Sequence, residues 1–472
     1  DQIKLFGDSA RAFFEFGAPD PAPSALAGVV RHVAHALHRA QFPDPGPVQL
    51  NLRARKPLEP SASLDADSLA LHQAVDDLLA RGPTRVENPT VHADVTRLAD
   101  ACRDATRGLI VVGPRAACAP EAARALLRLS EVTSFPLLCE SASQLRFAPE
   151  LTRKAARIDG FEWILSHERQ RERLRPELVL SFGAPPVSGA YERFLAGFSG
   201  ARFVVARHGF ADPHGIANEL ICADDADVAD RVCAELERRT PSHGARAQFT
   251  LDWLAANADA WRAVDDELRR ETAVLSEPLA VRTVLEHLPD PCTLVLGNSL
   301  PIREVDAYAP CASRRVRVLS QRGANGIDGL ISGAAGAASL SHEPVLLLLG
   351  DVSFMHDLGG LAAARESRAP LIIVVIDNGG GRIFEQLPFA AEFEKDPQLG
   401  QFWLTPPHAD FAHAAAVFGH QYERLSTVSE IAPALRDAKV RRGASVLHLV
   451  VDGSSARAAG ARIRAALSQT WG

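Results

Sequence analysis

Short runs rich in Val, Ile and Leu, each ending in Gly, Asp or Asn, alternate along the chain with stretches of helical period. Strands covered on both faces read as near-continuous apolar runs, so this alternation predicts parallel sheets built from βαβ units. The runs fall into three groups. The first holds an amphipathic helix around Ser24–Ala40 and the segment PGPVQLNL at 45–52, followed by the Pro-rich, polar stretch RARKPLEPSASLDAD. The second holds GLIVVG (108–113), a helix over Pro120–Ser130, PLLCE (136–140), LVLSFG (178–183) and ARFVVA (201–206). A charged, helix-like segment from Arg238 to Glu271 leads to the third, with CTLVLGN (292–298), PVLLLLGD (344–351), LIIVVIDN (371–378) and SVLHLVVD (445–452). The expected fold class is therefore α/β, with three doubly wound parallel-sheet domains, the first incomplete. Its expected organisation is a first-domain remnant over 1–60, a linker over 61–95, a middle domain over 96–240, a helical connection over 241–275 and a last domain over 276–472.

Composition narrows the class. With 472 residues, 47% hydrophobic and 23% charged, the chain is long enough for more than one core. A net charge of -7 and the lack of any dense Lys/Arg block argue against nucleic-acid binding. No apolar run reaches membrane-spanning length and the N-terminus lacks signal-peptide order, so a soluble cytoplasmic protein is expected. The seven cysteines (Cys102, Cys118, Cys139, Cys222, Cys233, Cys292, Cys311) never fall in CxxC spacing, which argues against a disulfide framework or a zinc site. The sequence opens on Asp1 and its sole methionine is Met355, so a fragment of a longer protein is expected. The first group spans about 60 residues against roughly 150 for a doubly wound domain.

In an open α/β sheet, ligands meet the residues that directly follow the strands. In the third group these are Gly350 and Asp351 after one strand, and Asn378 with Gly379, Gly380 and Gly381 after the next. Mg²⁺ takes oxygen ligands and keeps phosphate oxygens, so Asp351, the Asn378 amide oxygen and a backbone carbonyl at Gly380 suit a magnesium–diphosphate site. The backbone N–H groups after Asp351 would help hold the diphosphate. Either half alone is better read as an ordinary strand-end turn. Both halves on consecutive βα units are more specific, and the G-x-x-x-x-G-K-[ST] and G-x-G-x-x-G phosphate motifs are absent. The pair His408 and His413 lacks the spacing of a helical metal site, and no G-x-S-x-G elbow is present.

The GD…N pattern is similar to the thiamine-diphosphate motif shared by decarboxylases, acetolactate synthases and transketolases. Three further stretches narrow the resemblance: GNSLPIREVD (297–306), QRGANGIDGLISGAAG (321–336) and GGGRIFEQLP (379–388). Together with FGAPPVS (182–188) and PGPVQLNLRARKPLEP, they resemble the 2-succinyl-5-enolpyruvyl-6-hydroxy-3-cyclohexene-1-carboxylate synthase family over nearly the whole chain. The resemblance implies thiamine diphosphate and Mg²⁺ (or Mn²⁺) as cofactors. It implies decarboxylation of 2-oxoglutarate and addition of the succinyl carbanion to isochorismate, in menaquinone biosynthesis. It also implies at least a homodimer, whose neighbouring subunit supplies an activating glutamate; in this numbering that glutamate is expected before Asp1.

Carried over by resemblance, the substrate-contacting residues are Gln2, Asn298, Ser299, Arg303, Arg322, Ile383, Phe384 and Leu387. The cofactor-binding residues are Ile327, Gly350, Asp351, Ser353, Phe354, Asn378, Gly380 and Ile383, with Asp351, Asn378 and Gly380 as metal ligands. The planar guanidinium suits substrates with several carboxylates, although a lone surface arginine is more often a solvated ion pair. Two departures stand out: Asp377 replaces the first of the family's usual consecutive asparagines, and Arg382 stands where a small or amide residue is usual. The segment ADPHGIANEL (211–220) lacks the basic residues some members place there, so that contact does not carry over. Competing readings are another thiamine-diphosphate 2-oxoacid decarboxylase or acetolactate-synthase relative, and an inactive cofactor-binding subunit. An NAD or FAD binder is disfavoured because GLIVVGPRAACAP lacks the three-glycine fingerprint.

Overall fold

The structure is a computed structural model, which describes all residues except 1, 55, 57, 60–64, 83, 88–91, 116–119, 149–154, 239–243, 271–273, 324, 391, 393 and 394. The chain divides into two compact units, Asp1–His92 and Ala93–Gly472.

The first unit contains one βαβ element. Strands β1 (Ala12–Phe16) and β2 (Val48–Leu52) pair in parallel, with Ala12 opposite Val48, and the helix Pro23–Gln41 connects them. Proline at the start of that helix loses no hydrogen bond, because the first turn's N–H groups have no partner within the helix. The stretch expected as linker contains a further helix, Ala66–Ala80, whose first turn is capped by the Asp65 side chain accepting from the Ser68 N–H at 2.8 Å. None of its residues is fully buried; Leu71, Ala74, Val75 and Leu78, at i, i+3, i+4 and i+7, form a half-buried apolar stripe.

The second unit holds two six-stranded sheets, parallel throughout. In the first, β3 (Gly108–Val112), β4 (Leu137–Cys139), β5 (Arg157–Ile158), β6 (Leu178–Phe182), β7 (Ala201–Val205) and β8 (Glu219–Ile221) lie in the order β5-β4-β3-β6-β7-β8, the doubly wound arrangement. In the second, β9 (Cys292–Leu296), β10 (Val316–Ser320), β11 (Val345–Gly350), β12 (Leu371–Asp377), β13 (Gln421–Leu425) and β14 (Ala444–Val450) lie in the order β10-β9-β11-β12-β14-β13. The eight strands legible as apolar runs are the four interior strands of each sheet. The four found only in the structure are the edges, β5, β8, β10 and β13. An edge strand leaves one side to solvent and so mixes polar with apolar residues, as VRVLS and QYERL do.

The charged segment before the last sheet forms the helix Gly244–Leu268. Its Phe249, Trp253, Ala256, Ala260 and Val264 are buried against Leu109, Val111 and Val179 of the first sheet and Ile463, Leu467 and Trp471 of the C-terminal helix. Full burial of each large apolar side chain contributes about 1.5–3 kcal/mol. The described cysteines are all free thiols, and Cys118 lies outside the described residues. Among the described residues no helix is long and apolar enough to cross a membrane.

The winding of the second sheet places the site. After β9 the chain crosses to β10 on one side, then returns to β11 on the other, so the strand order reverses between β9 and β11. The loops leaving these two strands diverge and open a crevice at their carboxyl ends.

Candidate active site

A cleft of about 390 Å³ occupies this crevice. Strand β11 delivers Gly350, Asp351 and Ser353, the last two at the start of the helix Asp351–His356. Strand β12 delivers Asn378, Gly380, Gly381, Arg382, Ile383 and Phe384. Strand β9 contributes Ser299, held at φ 70°, at the head of the helix Leu300–Tyr308, which also carries Arg303. A serine in the left-handed region is strained, and such strain persists where the surrounding structure imposes it. Arg322 and Ile327 enter from the loop after β10.

The two motif halves meet directly. Asp351 Oδ2 accepts the Gly380 N–H at 2.7 Å and Oδ1 accepts the Val352 N–H at 2.7 Å. Burial, with the charge of Asp377 beside it, pushes the Asp351 carboxyl up to about 6. Asp377 is itself partly buried, yet the hydrogen bond from His448 Nε2 at 2.8 Å keeps it below the usual range, and His448 Nδ1 meets the Tyr422 hydroxyl at 2.7 Å. The Asn378 Nδ2 donates to Glu277 Oε1 at 2.9 Å, while its Oδ1 is buried with no donor. Burial pushes Glu277 up to about 7, and pushes its neighbour Glu304 well above the usual range. Arg382 donates through Nε to the Asn378 carbonyl at 3.0 Å and pairs with Glu385 at 2.6 Å.

Two arginines give the cleft positive charge. Arg303 donates to the Ser299 carbonyl at 2.7 Å, and Arg322 donates to Asn298 Oδ1 at 2.7 Å. Neither has a carboxylate salt-bridge partner among the described residues. Burial lowers the pKa of both, and Arg322 lowers that of Arg303 further. An anion bound between them would relieve both penalties.

Ser299, Arg303, Arg322, Ile327, Gly350, Asp351, Ser353, Asn378, Gly380, Ile383 and Phe384, all singled out from the sequence, line this one cleft. Four others of that set do not. Asn298 is buried behind it, with Nδ2 donating to the Gln321 and Gly326 carbonyls, so that its oxygen faces Arg322. Phe354 is wholly buried against the Phe411 ring at 5.1 Å, which leaves its backbone for any ligand contact. Leu387 is half-exposed and outside the lining, whereas Phe384 stacks edge-on against Trp403 at 5.4 Å. Gln2 belongs to the first unit, where its carbonyl accepts from Gln49 Nε2 at 2.7 Å. Sequence reasoning missed Glu277, His356 and Thr405, which also line the cleft. Glu277 heads the helix Glu277–Glu286, where an acidic residue reads as ordinary helix-end complementarity, so it gave no separate signal.

The residues present fit a metal–diphosphate group. A buried amide oxygen without a donor, an adjacent carboxylate and the exposed backbone of Gly350, where an added Cβ would meet nothing within 4 Å, supply what a hard cation and its phosphates need. Among the described residues no group of three or more His, Cys, Asp or Glu could hold a metal, so a nitrogen- or sulfur-rich centre is not built here.

Fold and site together define a thiamine-diphosphate enzyme. The family described as "Thiamine pyrophosphate enzyme, C-terminal TPP binding domain" matches residues 308–449. The X-ray structure of an enzyme from Mycobacterium smegmatis assigned as thiamin diphosphate-dependent superposes with a TM-score of 0.59 at 18% identity, covering 95% of this chain and 78% of that one, a likeness of fold. Among curated proteins, the 2-succinyl-5-enolpyruvyl-6-hydroxy-3-cyclohexene-1-carboxylate synthase of Sorangium cellulosum is 42% identical over 464 residues, 96% of this chain and 74% of that protein. The same-named synthases of Halobacterium salinarum and Myxococcus xanthus are each 34% identical, covering 96% and 92% of this chain and 76% and 73% of theirs. The chain belongs to this synthase family: it is a thiamine-diphosphate-dependent, carbon–carbon bond-forming transferase of menaquinone biosynthesis.

Proposed function

We propose that the protein decarboxylates 2-oxoglutarate and joins the remaining four-carbon unit to isochorismate, giving 2-succinyl-5-enolpyruvyl-6-hydroxy-3-cyclohexene-1-carboxylate. The observation that carries this reading is the placement of two arginines that form no carboxylate salt bridge among the described residues, Arg303 and Arg322, beside the Asp351–Asn378 pair in one cleft. Both substrates bear more than one carboxylate, and guanidinium groups bind carboxylates bidentately.

Asp351, Asn378 Oδ1 and the Gly380 carbonyl would hold Mg²⁺ or Mn²⁺, with the backbone at Gly350, Ser353 and Phe354 near the diphosphate. Thiamine diphosphate, when bound, supplies the carbanion nucleophile and the electron sink for decarboxylation. Ile327 and Ile383 would pack against its ring portion and exclude water. Asn298 acts through Arg322, fixing one guanidinium nitrogen so that the others face the substrate. Phe384 walls the cleft; Leu387 and Gln2 stand as further substrate contacts carried by the family resemblance. In the same reading, residues 1–60 belong to a pyrimidine-binding domain, 61–95 to a linker, 96–240 to a middle domain, 241–275 to a helical connection and 276–472 to the diphosphate-binding domain. The protein works in the cytoplasm as a homodimer or higher assembly.

The test is single-turnover release of carbon dioxide from 2-oxoglutarate with thiamine diphosphate and Mg²⁺, with and without isochorismate, comparing wild type with Asp351→Ala and Arg303→Ala. Carbon dioxide release with loss of isochorismate, suppressed by both substitutions, supports the assignment. Preference for pyruvate, or isochorismate left unconsumed, refutes the substrates proposed.

A further inference from the structure

We propose that Glu277 is the positioning residue that sets which end of the Asn378 amide faces the metal, and that this is why position 378 carries an amide rather than a carboxylate. The inference rests on the metal-site reading above. Glu277 is 1% exposed and Asn378 7% exposed, and their side chains meet at 2.9 Å through Nδ2 and Oε1. An asparagine side chain has a donor end and an acceptor end. Against the acceptor Oε1 of Glu277 the amide presents its NH₂, and its oxygen lies on the opposite side, where no protein donor meets it.

Glu277 can impose this because it is itself held. It follows the N-cap Ser276 and precedes Pro278, so its backbone sits in the rigid first turn of the helix Glu277–Glu286. Its N–H donates to the Ser455 hydroxyl at 2.9 Å, and Ser276 bridges to Asp452 just past β14. The Asn378 backbone is held from another direction by Arg382, whose Nε reaches the Asn378 carbonyl at 3.0 Å. With both backbones fixed, the Oε1–Nδ2 hydrogen bond determines the side-chain orientation. An aspartate at 378 would instead place a carboxylate oxygen against the Glu277 carboxylate.

The contact predicts a specific rescue. Asn378→Asp alone should weaken binding of Mn²⁺ in the presence of thiamine diphosphate by roughly 10–100-fold, the usual cost of a spoiled outer-shell contact. Glu277→Gln alone keeps an acceptor for Asn378 and should stay within about threefold of wild type. The double variant Glu277→Gln/Asn378→Asp restores the hydrogen bond with donor and acceptor exchanged, and should recover to within about threefold of wild type. Binding is read on the full chain from the electron paramagnetic resonance signal of free Mn²⁺, with Asp351→Ala as reference. A double variant no better than Asn378→Asp overturns the inference while Asp351→Ala still loses the metal. Undiminished binding by Asp351→Ala overturns the metal-site reading as well.

Discussion

Gly380 offers a quantitative test of how the backbone builds the cleft. It adopts φ +128°, where a side chain is costly, and an added Cβ would lie 3.0 Å from the Leu404 carbonyl carbon and closer still to its oxygen. In Gly380→Ala the backbone term is about 1–3 kcal/mol. To reach ordinary contact distance the Leu404 carbonyl must also retreat by roughly 1 Å. That carbonyl accepts the Gly381 N–H at 2.6 Å, and weakening this bond adds about 1 kcal/mol. The expected loss is therefore about 2–4 kcal/mol, concentrated in the loop that also donates the Gly380 N–H to Asp351 at 2.7 Å. Two other glycines serve as references. Gly379 has φ +80°, but its added Cβ would come no nearer than 3.7 Å to the Arg382 guanidinium, so Gly379→Ala should cost about 1–2 kcal/mol. Gly336, inside the helix Leu330–Leu340, has nothing within 4 Å, and Gly336→Ala should stabilise by about 0.5–1 kcal/mol. Urea denaturation of the three variants, with Mn²⁺ binding measured in parallel, should rank Gly336→Ala above wild type, then Gly379→Ala, then Gly380→Ala, with metal affinity lowest in the last. Equal stability and equal metal binding in Gly379→Ala and Gly380→Ala would refute the reasoning.

Two further tests concern the buried charges between the sheets of the second unit. Asp306, 2% exposed, accepts from Arg146 at 2.7 Å and from the Ser141 N–H at 2.8 Å, and Arg146 is fully buried, so Asp306→Ala leaves a guanidinium without its counter-charge. A loss of about 3–5 kcal/mol in urea denaturation is expected, and a loss near zero would show that the pair is not structural. Burial, with Asp306 beside it, pushes Glu140 up to about 8; burial pushes Asp306 up to about 7, although Arg146 opposes the rise. A carboxyl whose folded pKa is raised holds its proton longer in the folded state than in the unfolded one. Its contribution is therefore fully present below the unfolded value and is lost as pH rises through the folded value. Glu140→Gln removes that loss, so its melting temperature relative to wild type should rise from about pH 5.5 to about pH 8.5; a constant difference would contradict the assigned burial effect.

The interior strands, the Asp351 and Asn378 strand ends and the arginine-bearing loops were all legible in the residue order. Each is a local consequence of composition: a strand buried on both faces must be apolar throughout, and a ligand-facing strand end must turn polar. The edge strands β5, β8, β10 and β13 were not legible, because partial exposure removes the constraint that makes a run continuous. The helix Ala66–Ala80 was not anticipated because its short stripe, Leu71, Ala74, Val75 and Leu78, is only half-buried and directly follows the Pro-rich, polar stretch that reads as linker. Only the tertiary structure could bring Glu277 to Asn378, which lies 101 residues later in the chain, because that contact depends on where a helix start and a strand end meet. It likewise separated the residues that line the cleft from Asn298 and Phe354, their neighbours in sequence. Local order specifies the chemistry that a segment can offer, while the winding of the sheet decides which segments share a site and which way each side chain faces.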